Sequence, residues 1–512
     1  MGNAVAATRF DQSVLVETPL KANNTITNLH AAKKKILFVS PELADLIKVG
    51  GLGDVSASLP RAMNADHDVR VLIPGYRQVL QSGHAIRDVG SVPGHAALPP
   101  ARIGCMTLPD GLIVYVLICP ELYDRDGTPY ADAQGRDWQD NHIRFASLGL
   151  AAAEIAAGTA CLSWCPEVVH ANDWPAALAP AYMSWRGLQT PTVFTIHNLA
   201  YQGLCSLECS PELGLPSSAC GHQGMEFYGR LSFLKAGLVY SDHVTTVSEN
   251  YAREITTQEF GCGLEGMLQF KVQLNQLSGI PNGIDDSWDS LNDPHLVQGF
   301  DAHDWEGKRA NTRHVEQMFG LEQSDGPLFA VVSRLVQQKG IDMTLEIADT
   351  IVAEGGRIAI IGRGEEHLED AVRELARRHP GKVGANVGFN EADARCMFAG
   401  SDFLLMPSRF EPCGLSQMYA QRFGSLPIAR ATGGLADTIE DGVSGFLFQE
   451  PSSDSYLAAV RRAMAVFRNR ELLNAMRAHA MASPLYWKQS VEPYAALYRK
   501  LLAAQKSGGK LV

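Results

Sequence analysis

Arg409-Phe-Glu-Pro-Cys-Gly-Leu-Ser-Gln-Met-Tyr419, followed by Ala431-Thr-Gly-Gly-Leu-Ala-Asp437, places the carboxylate of Glu411, a short helix and a Gly-Gly turn in close succession. The run before it, Phe403-Leu-Leu-Met-Pro-Ser408, is apolar throughout and reads as a buried parallel strand, so Glu411 emerges at the carboxyl end of a sheet. Open α/β sheets bind ligands at that end. Apolar or aromatic residues at 415, 418, 419 and 423 have helical spacing, and Thr432-Gly433-Gly434 follows the next strand, Leu426 to Arg430. Glycines at a strand-to-helix turn let backbone amides approach phosphate oxygens with no Cβ in the way. An isolated Gly-Gly after a strand is equally a plain tight turn, and an isolated Glu there is usually solvated. A second constellation breaks the tie: Lys48-Val-Gly-Gly-Leu-Gly-Asp54 comes soon after the strand Lys35-Ile-Leu-Phe-Val-Ser40, and again a glycine-rich turn opens a helix beside a lysine.

The chain has 512 residues, too long for one ordinary core, and two large α/β domains fit best. Its composition, 46% hydrophobic and 20% charged, is that of a folded soluble protein, and no apolar stretch is long enough to span a bilayer. A net charge of −12 repels nucleic acid, so any phosphate must be held by a few local cations, whereas a neutral polymer meets no such penalty. No membrane or nucleic-acid partner is expected. The ten cysteines lack a framework spacing and no secretory leader precedes them, so they read as reduced thiols in a cytoplasmic protein. Cys161/Cys165 and Cys205/Cys209 are four apart, but no second pair with Cys-x2-Cys spacing supports metal ligation, and none is expected. Residues 1–33 read as a flexible leader. Its start, Met1-Gly2-Asn3-Ala4-Val5-Ala6, lacks the Ser or Thr that a myristoylation signal needs at position 6.

From Ile36 onward short β-branched runs alternate with longer helical ones: 69–73, 113–118, 167–170, 192–197 and 243–247. Strands separated by helices mean a parallel, doubly wound sheet. Turn residues cluster at Ile280-Pro-Asn-Gly-Ile-Asp285, and a second alternating series follows at 328–333, 357–362, 383–389, 403–407 and 426–430. The expected division is a first Rossmann-like domain over 34–285, a second over 286–486, and a terminal helix over 487–507 with an apolar stripe. Two such domains facing each other enclose a cleft. Hinges are expected near Ile280–Asp285 and Pro484–Lys488.

Together with these segments, His170-Ala-Asn-Asp-Trp174, Thr195-Ile-His-Asn-Leu-Ala-Tyr-Gln-Gly203 and Ser333-Arg-Leu-Val-Gln-Gln-Lys-Gly340 carry a family likeness. It resembles the bacterial glycogen synthase and plant starch synthase family, the ADP-glucose type of glycosyltransferase family 5, over roughly residues 35 to 505. The resemblance implies a GT-B architecture whose last helix crosses back to the first domain. It also implies transfer of glucose from ADP-glucose to the non-reducing 4-hydroxyl of an α-1,4-glucan with retention. Lys48, Gly50 and Gly51 resemble the turn that approaches the donor's phosphates and glucose, and Arg334 and Lys339 the pair that holds the pyrophosphate. Glu411 matches the carboxylate on the donor glucose, with Cys413 and Gly414 beside it. Asn282, Thr432, Gly433 and Gly434 complete the expected donor contacts. His197 and Asp173 match residues bordering the reacting sugar. Two departures stand out: Pro175 replaces the His often found after Asp-Trp, and Ala431 replaces the second Arg of an Arg-Arg-Thr-Gly-Gly run.

The residue types fit that chemistry. Breaking a sugar–phosphate bond leaves negative charge on the departing pyrophosphate, which Arg334 and Lys339 stabilise in place of a divalent metal, and no cofactor is expected. A glycosidase would need two carboxylates about 5–9 Å apart, and only Glu411 is well placed. Read by itself, His197 is equally a hydrogen-bonded structural residue, Asp173 a cap for the helix beginning near Pro175, and Cys413 a small buried hydrophobe. Other readings are a UDP-glucose-using transferase, a nucleotide-sugar epimerase, a phosphorylase with a Schiff-base lysine, and a non-catalytic glucan-binding scaffold.

Overall fold

The structure is a computed structural model, and it describes residues 33–507. The leader and its N-terminal hexapeptide lie outside the described residues, apart from Lys33.

The first sheet, counted among the described residues, has nine strands. They are β1 (Lys34–Val39), β2 (His67–Pro74), β3 (Arg87–Val92), β4 (Ala101–Thr107), β5 (Ile113–Ile118), β6 (Val168–Asn172), β7 (Thr192–Ile196), β11 (His243–Thr246) and β12 (Leu277–Gly279). Between β7 and β11 the chain forms a small antiparallel sheet of β8 (Leu204–Ser206), β9 (Glu226–Phe227) and β10 (Arg230–Ser232). The nine strands run in the order β12-β11-β7-β6-β1-β2-β5-β4-β3. Pairing is parallel from β12 across to β5, and then antiparallel between β5 and β4 and between β4 and β3. The fully parallel sheet expected from the sequence therefore carries an antiparallel edge hairpin. Its strands were missed because β3 is half exposed and too poor in apolar residues to stand out, and a bulge between Asp88 and Gly90 interrupts its register.

The second sheet is parallel throughout: β13 (Leu328–Val332), β14 (Arg357–Gly362), β15 (Val383–Val387), β16 (Phe403–Met406), β17 (Leu426–Arg430) and β18 (Phe446–Phe448), in the order β15-β14-β13-β16-β17-β18. The central strands are buried at every position, as strands covered by helices on both faces must be, which is why they were legible as continuous apolar runs.

In each sheet the strand order reverses once. The first grows from β1 to β2 and β5 on one side, then resumes on the other with β6; the second grows from β13 to β14 and β15, then resumes with β16. Each reversal opens a crevice at the carboxyl ends of the two strands that flank it.

The chain passes between the two sheets twice, and the passes lie side by side. The Ile284 amide donates to the Leu485 carbonyl at 2.9 Å and the Trp487 amide to that of Ile284 at 3.2 Å. The final helix, Trp487–Lys506, returns to the first sheet, where the Tyr498 hydroxyl meets His170 Nδ1 at 2.7 Å. His170 Nε2 lies 2.6 Å from Thr195 Oγ1, so a fully buried imidazole is satisfied at both nitrogens; burial lowers its pKa to about 3 and keeps it neutral. Among the described residues no helix is long and apolar enough to cross a membrane.

Candidate active site

A cleft of about 1280 Å³ lies over both strand-order reversals. Glu42 and Lys48 enter it from the loop after β1, Asp173 from after β6 and His197 from after β7; Arg334 and Lys339 enter from after β13, and Glu411 from after β16. Gly50, Gly51, Asn282, Cys413 and Gly414 also line it. Of the sequence-predicted site residues, Thr432, Gly433 and Gly434 do not.

Their placement has a specific cause. The helix Gly433–Thr438 starts at this turn, but its first amide, Gly433 N–H, donates to Glu254 Oε1 at 2.9 Å, and the Thr432 hydroxyl donates to the same oxygen at 3.0 Å. Glu254 ends the helix Glu249–Glu254, which follows β11 of the first sheet. The expected phosphate-facing amide is thus occupied by a carboxylate from the other side of the molecule. The two glycines serve packing instead. Gly433 has φ +45°, and a Cβ on it would run into the Glu411 carbonyl, while one on Gly434 would strike that of Cys413. The turn braces the segment carrying Glu411 from behind.

On the second-sheet side Lys339 Nζ forms an ion pair with Glu411 Oε2, and Ser408 Oγ donates to that same oxygen at 3.0 Å. Glu411 is 5% exposed. A buried carboxylate needs such partners, and these hold it in one orientation. Arg334 is exposed, with a long 3.4 Å contact to Gln338 Oε1. The two cations are therefore unequal: Lys339 is tied to Glu411, and Arg334 reaches freely into the cleft. Cys413 is buried, and burial pushes its thiol up to about 12, so it is no thiolate.

On the first-sheet side, Gly50 is the N-cap of the helix Gly51–Met63, as the glycine pattern implied. The amides of Val49 and Gly50 donate to Glu42 Oε2 at 2.6 and 3.1 Å, and the Tyr130 hydroxyl donates to Glu42 Oε1 at 2.5 Å. Glu42 thus fixes the glycine turn from within, while Lys48 Nζ reaches Asp54 Oδ1 at 2.6 Å. Glu42 stands just beyond the carboxyl end of β1. The rule that singled out Glu411 after β16 would have found it.

Asp173 is the first residue of the helix Asp173–Ala176 rather than its cap, with φ +58°, the left-handed region that Asp tolerates better than most residues. It is 8% exposed and its Oδ1 has no hydrogen-bond partner. Burial raises its pKa to about 7, against the opposing pull of the amides of Trp174, His197 and Asn198. The Asn172 amide nitrogen donates to the carbonyls of Val39 (3.2 Å) and His170 (3.3 Å), which turns Asn172 Oδ1 toward His197 Nε2 at 3.1 Å. His197 Nε2 therefore carries a proton, and because burial lowers the ring's pKa to about 3, the imidazole is neutral with Nδ1 as an acceptor.

The sequence carried no sign that Tyr130, Trp138, Trp174, Tyr201 and Arg363 line the cleft, nor that Leu415 and Ser416, at the start of the helix it did mark, face it. Trp174 packs edge-on against Phe145 at 4.8 Å, whereas Tyr201 is 49% exposed. Pro175 and Ala431 do not line the cleft.

Comparison with known proteins agrees with this geometry. The family described as starch synthase catalytic domain matches residues 35–270, and the one described as glycosyl transferases group 1 matches residues 316–480. The glycogen synthase of Pseudomonas putida is 68% identical over 470 residues, 92% of this chain and 91% of that protein. The glycogen synthase of Pseudomonas aeruginosa is 65% identical over 470 residues, 92% of each. Among solved structures, the catalytic domain of starch synthase IV from Arabidopsis thaliana bound to ADP and acarbose superposes with a TM-score of 0.82 at 30% identity, covering 92% of this chain and all of that one. Sucrose-phosphate synthase from Thermosynechococcus elongatus, with a TM-score of 0.58, 16% identity and the same coverage, shares the fold.

Proposed function

The chain belongs to the glycogen synthase and starch synthase family of glucan-extending glycosyltransferases, and from that premise we propose that its donor is ADP-glucose and its acceptor the non-reducing 4-hydroxyl of an α-1,4-glucan. The ADP and acarbose of the Arabidopsis neighbour support both halves of this reading. The observation that carries it is one cleft lined from both sheets, with Arg334, Lys339 and Glu411 on one side and Lys48, Asp173, a neutral His197 and the aromatic residues on the other.

The bond between the anomeric carbon and the phosphate oxygen breaks, and Arg334 and Lys339 stabilise the departing negative charge. The acceptor hydroxyl attacks the same face of the anomeric carbon that the phosphate leaves, and gives its proton to the departing phosphate oxygen. Configuration is retained. Glu411, neutralised by Lys339 and held by Ser408, orients the donor glucose and does not attack. Neutral His197 offers Nδ1 to a sugar hydroxyl, and the exposed face of Tyr201 suits the apolar face of an acceptor glucose. The amides at Leu415 and Ser416, the start of the helix Ser416–Arg422, take the role first given to Gly433. Residues 34–285 form the acceptor-side domain and 286–486 the donor-side domain, in the cytoplasm.

Of the three lysines between 286 and 486, Lys308 is buried and donates to the carbonyls of Ala399 and Phe423, and Lys382 pairs with Glu322; only Lys339 lines the cleft, and its ammonium is held by Glu411, which disfavours the free amine that a phosphorylase's Schiff base needs. The deciding experiment compares radiolabelled ADP-glucose and UDP-glucose on a glycogen primer. Incorporation from ADP-glucose at least about tenfold faster is expected, a transition-state preference of about 1.4 kcal/mol. Equal or faster incorporation from UDP-glucose refutes the donor assignment, and none from either refutes the activity.

A further inference from the structure

Cys205 and Cys209 alone gave no metal site, because two thiols four residues apart supply only half of a ligand set. The fold brings the rest from elsewhere. His142, the second residue of the helix Asn141–Ala157, points its ring at the turn after β8, and its Nε2 lies 3.0 Å from Glu212 Oε2. Donor atoms of His142, Cys209 and Glu212 all lie within 4.8 Å of one another. Cys209 and Glu212 share one helical turn, closed by the Leu213 amide donating to the Cys209 carbonyl at 3.2 Å. A second bond, from the Glu208 amide to Ser206 Oγ at 3.2 Å, steadies the start of that turn. The Cys205 thiol lies beside Cys209, close enough to be a hydrogen-bonding neighbour of it.

We propose that His142, Cys209 and Glu212, with Cys205 as the fourth ligand, form a binding site for a divalent zinc ion at the rim of the cleft. One imidazole, two sulfurs and one carboxylate suit zinc and exclude magnesium or calcium, which take oxygen ligands. Tetrahedral zinc sets its donors about 3.5 Å apart, so His142, Cys209 and Glu212 draw in by roughly an ångström from their present span, and Cys205, which is not part of that trio, swings in from beside Cys209. A bound dication would hold both sulfurs as thiolates. His142, Cys205 and Cys209 line the same cleft as Trp138 and Arg230. The ion therefore staples residues 205–212 to the start of the helix and reshapes the cleft entrance. That last consequence rests on the glucan reading above, whereas metal binding itself does not.

The test uses the full chain, kept reduced, loaded with Zn²⁺ and then desalted, with zinc counted by mass spectrometry and the Co²⁺ form read for thiolate-to-metal charge transfer. One zinc per chain and a charge-transfer band are expected. Both should weaken at least about tenfold in Cys209→Ser and in His142→Gln, and persist in Cys161→Ser, an exposed thiol outside the cluster. Should Cys209→Ser fail to fold, His142→Gln and Glu212→Gln carry the same readout. A wild-type chain that emerges metal-free, or cluster variants that keep the metal, overturns the site. Where zinc binds, added Zn²⁺ should raise the KM for glucan in the wild type alone; an unchanged KM refutes the effect on the entrance and leaves the site standing.

Discussion

Asp173→Asn tests the electrostatics of the cleft most directly. The wild-type carboxyl has an ordinary pKa of 3.8 when exposed and about 7 when folded, with burial the dominant cause. Between those values the folded state holds a proton that the unfolded state has released, so stability falls as pH rises through the window and levels off above about pH 7. A shift of about 3 units at about 1.4 kcal/mol each gives a plateau loss of about 4 kcal/mol. About 3 kcal/mol of it accrues between about pH 5 and about pH 8. Asn cannot titrate, so the variant lacks this slope whatever constant offset its amide introduces. His197 and His170 stay neutral throughout, since burial holds both near a pKa of about 3. Thermal unfolding of both proteins across that range measures the effect. At roughly 2 °C per kcal/mol for a cooperative unit of about 250 residues, the difference in Tm between variant and wild type should grow by about 6 °C from the acid to the alkaline end. A difference that stays flat across the range would refute the reasoning.

Lys339→Ala should lower kcat at least about a hundredfold, the usual loss when a transition-state charge partner is removed. It also strands buried Glu411, so it should cost about 3 kcal/mol of stability, and Lys339→Met with Glu411→Gln should melt higher than Lys339→Ala alone. Normal turnover in Lys339→Ala would remove the residue from the site. Because Arg334 and Lys339 supply the positive charge, activity should persist in excess EDTA; loss that magnesium restores would mean an ion bridges the phosphates. Glu254→Ala frees the Thr432–Gly433 turn, leaving as a contact between the same two helices the Asn250 amide on Asp437 at 2.9 Å. Its small-angle scattering should show a larger radius of gyration than wild type, hinged where Ile284 meets Leu485 and Trp487, and identical profiles would count against a latch.

The sequence by itself determined the two alternating series, because a strand buried on both faces must be apolar along its length. It also marked out Glu411, Lys339, Lys48 and His197, because ligand-facing residues follow the carboxyl ends of such strands. Local pattern could not say what those groups touch. Glu254 reaches Gly433 across 179 positions, and Lys339 finds Glu411 across 72. The Cys205/Cys209 pair looked incomplete because His142 comes from another helix. Hydrogen bonds and ion pairs are short-ranged, so their partners are set by which loops the strand order brings to the same crevice, and only the tertiary structure decided that.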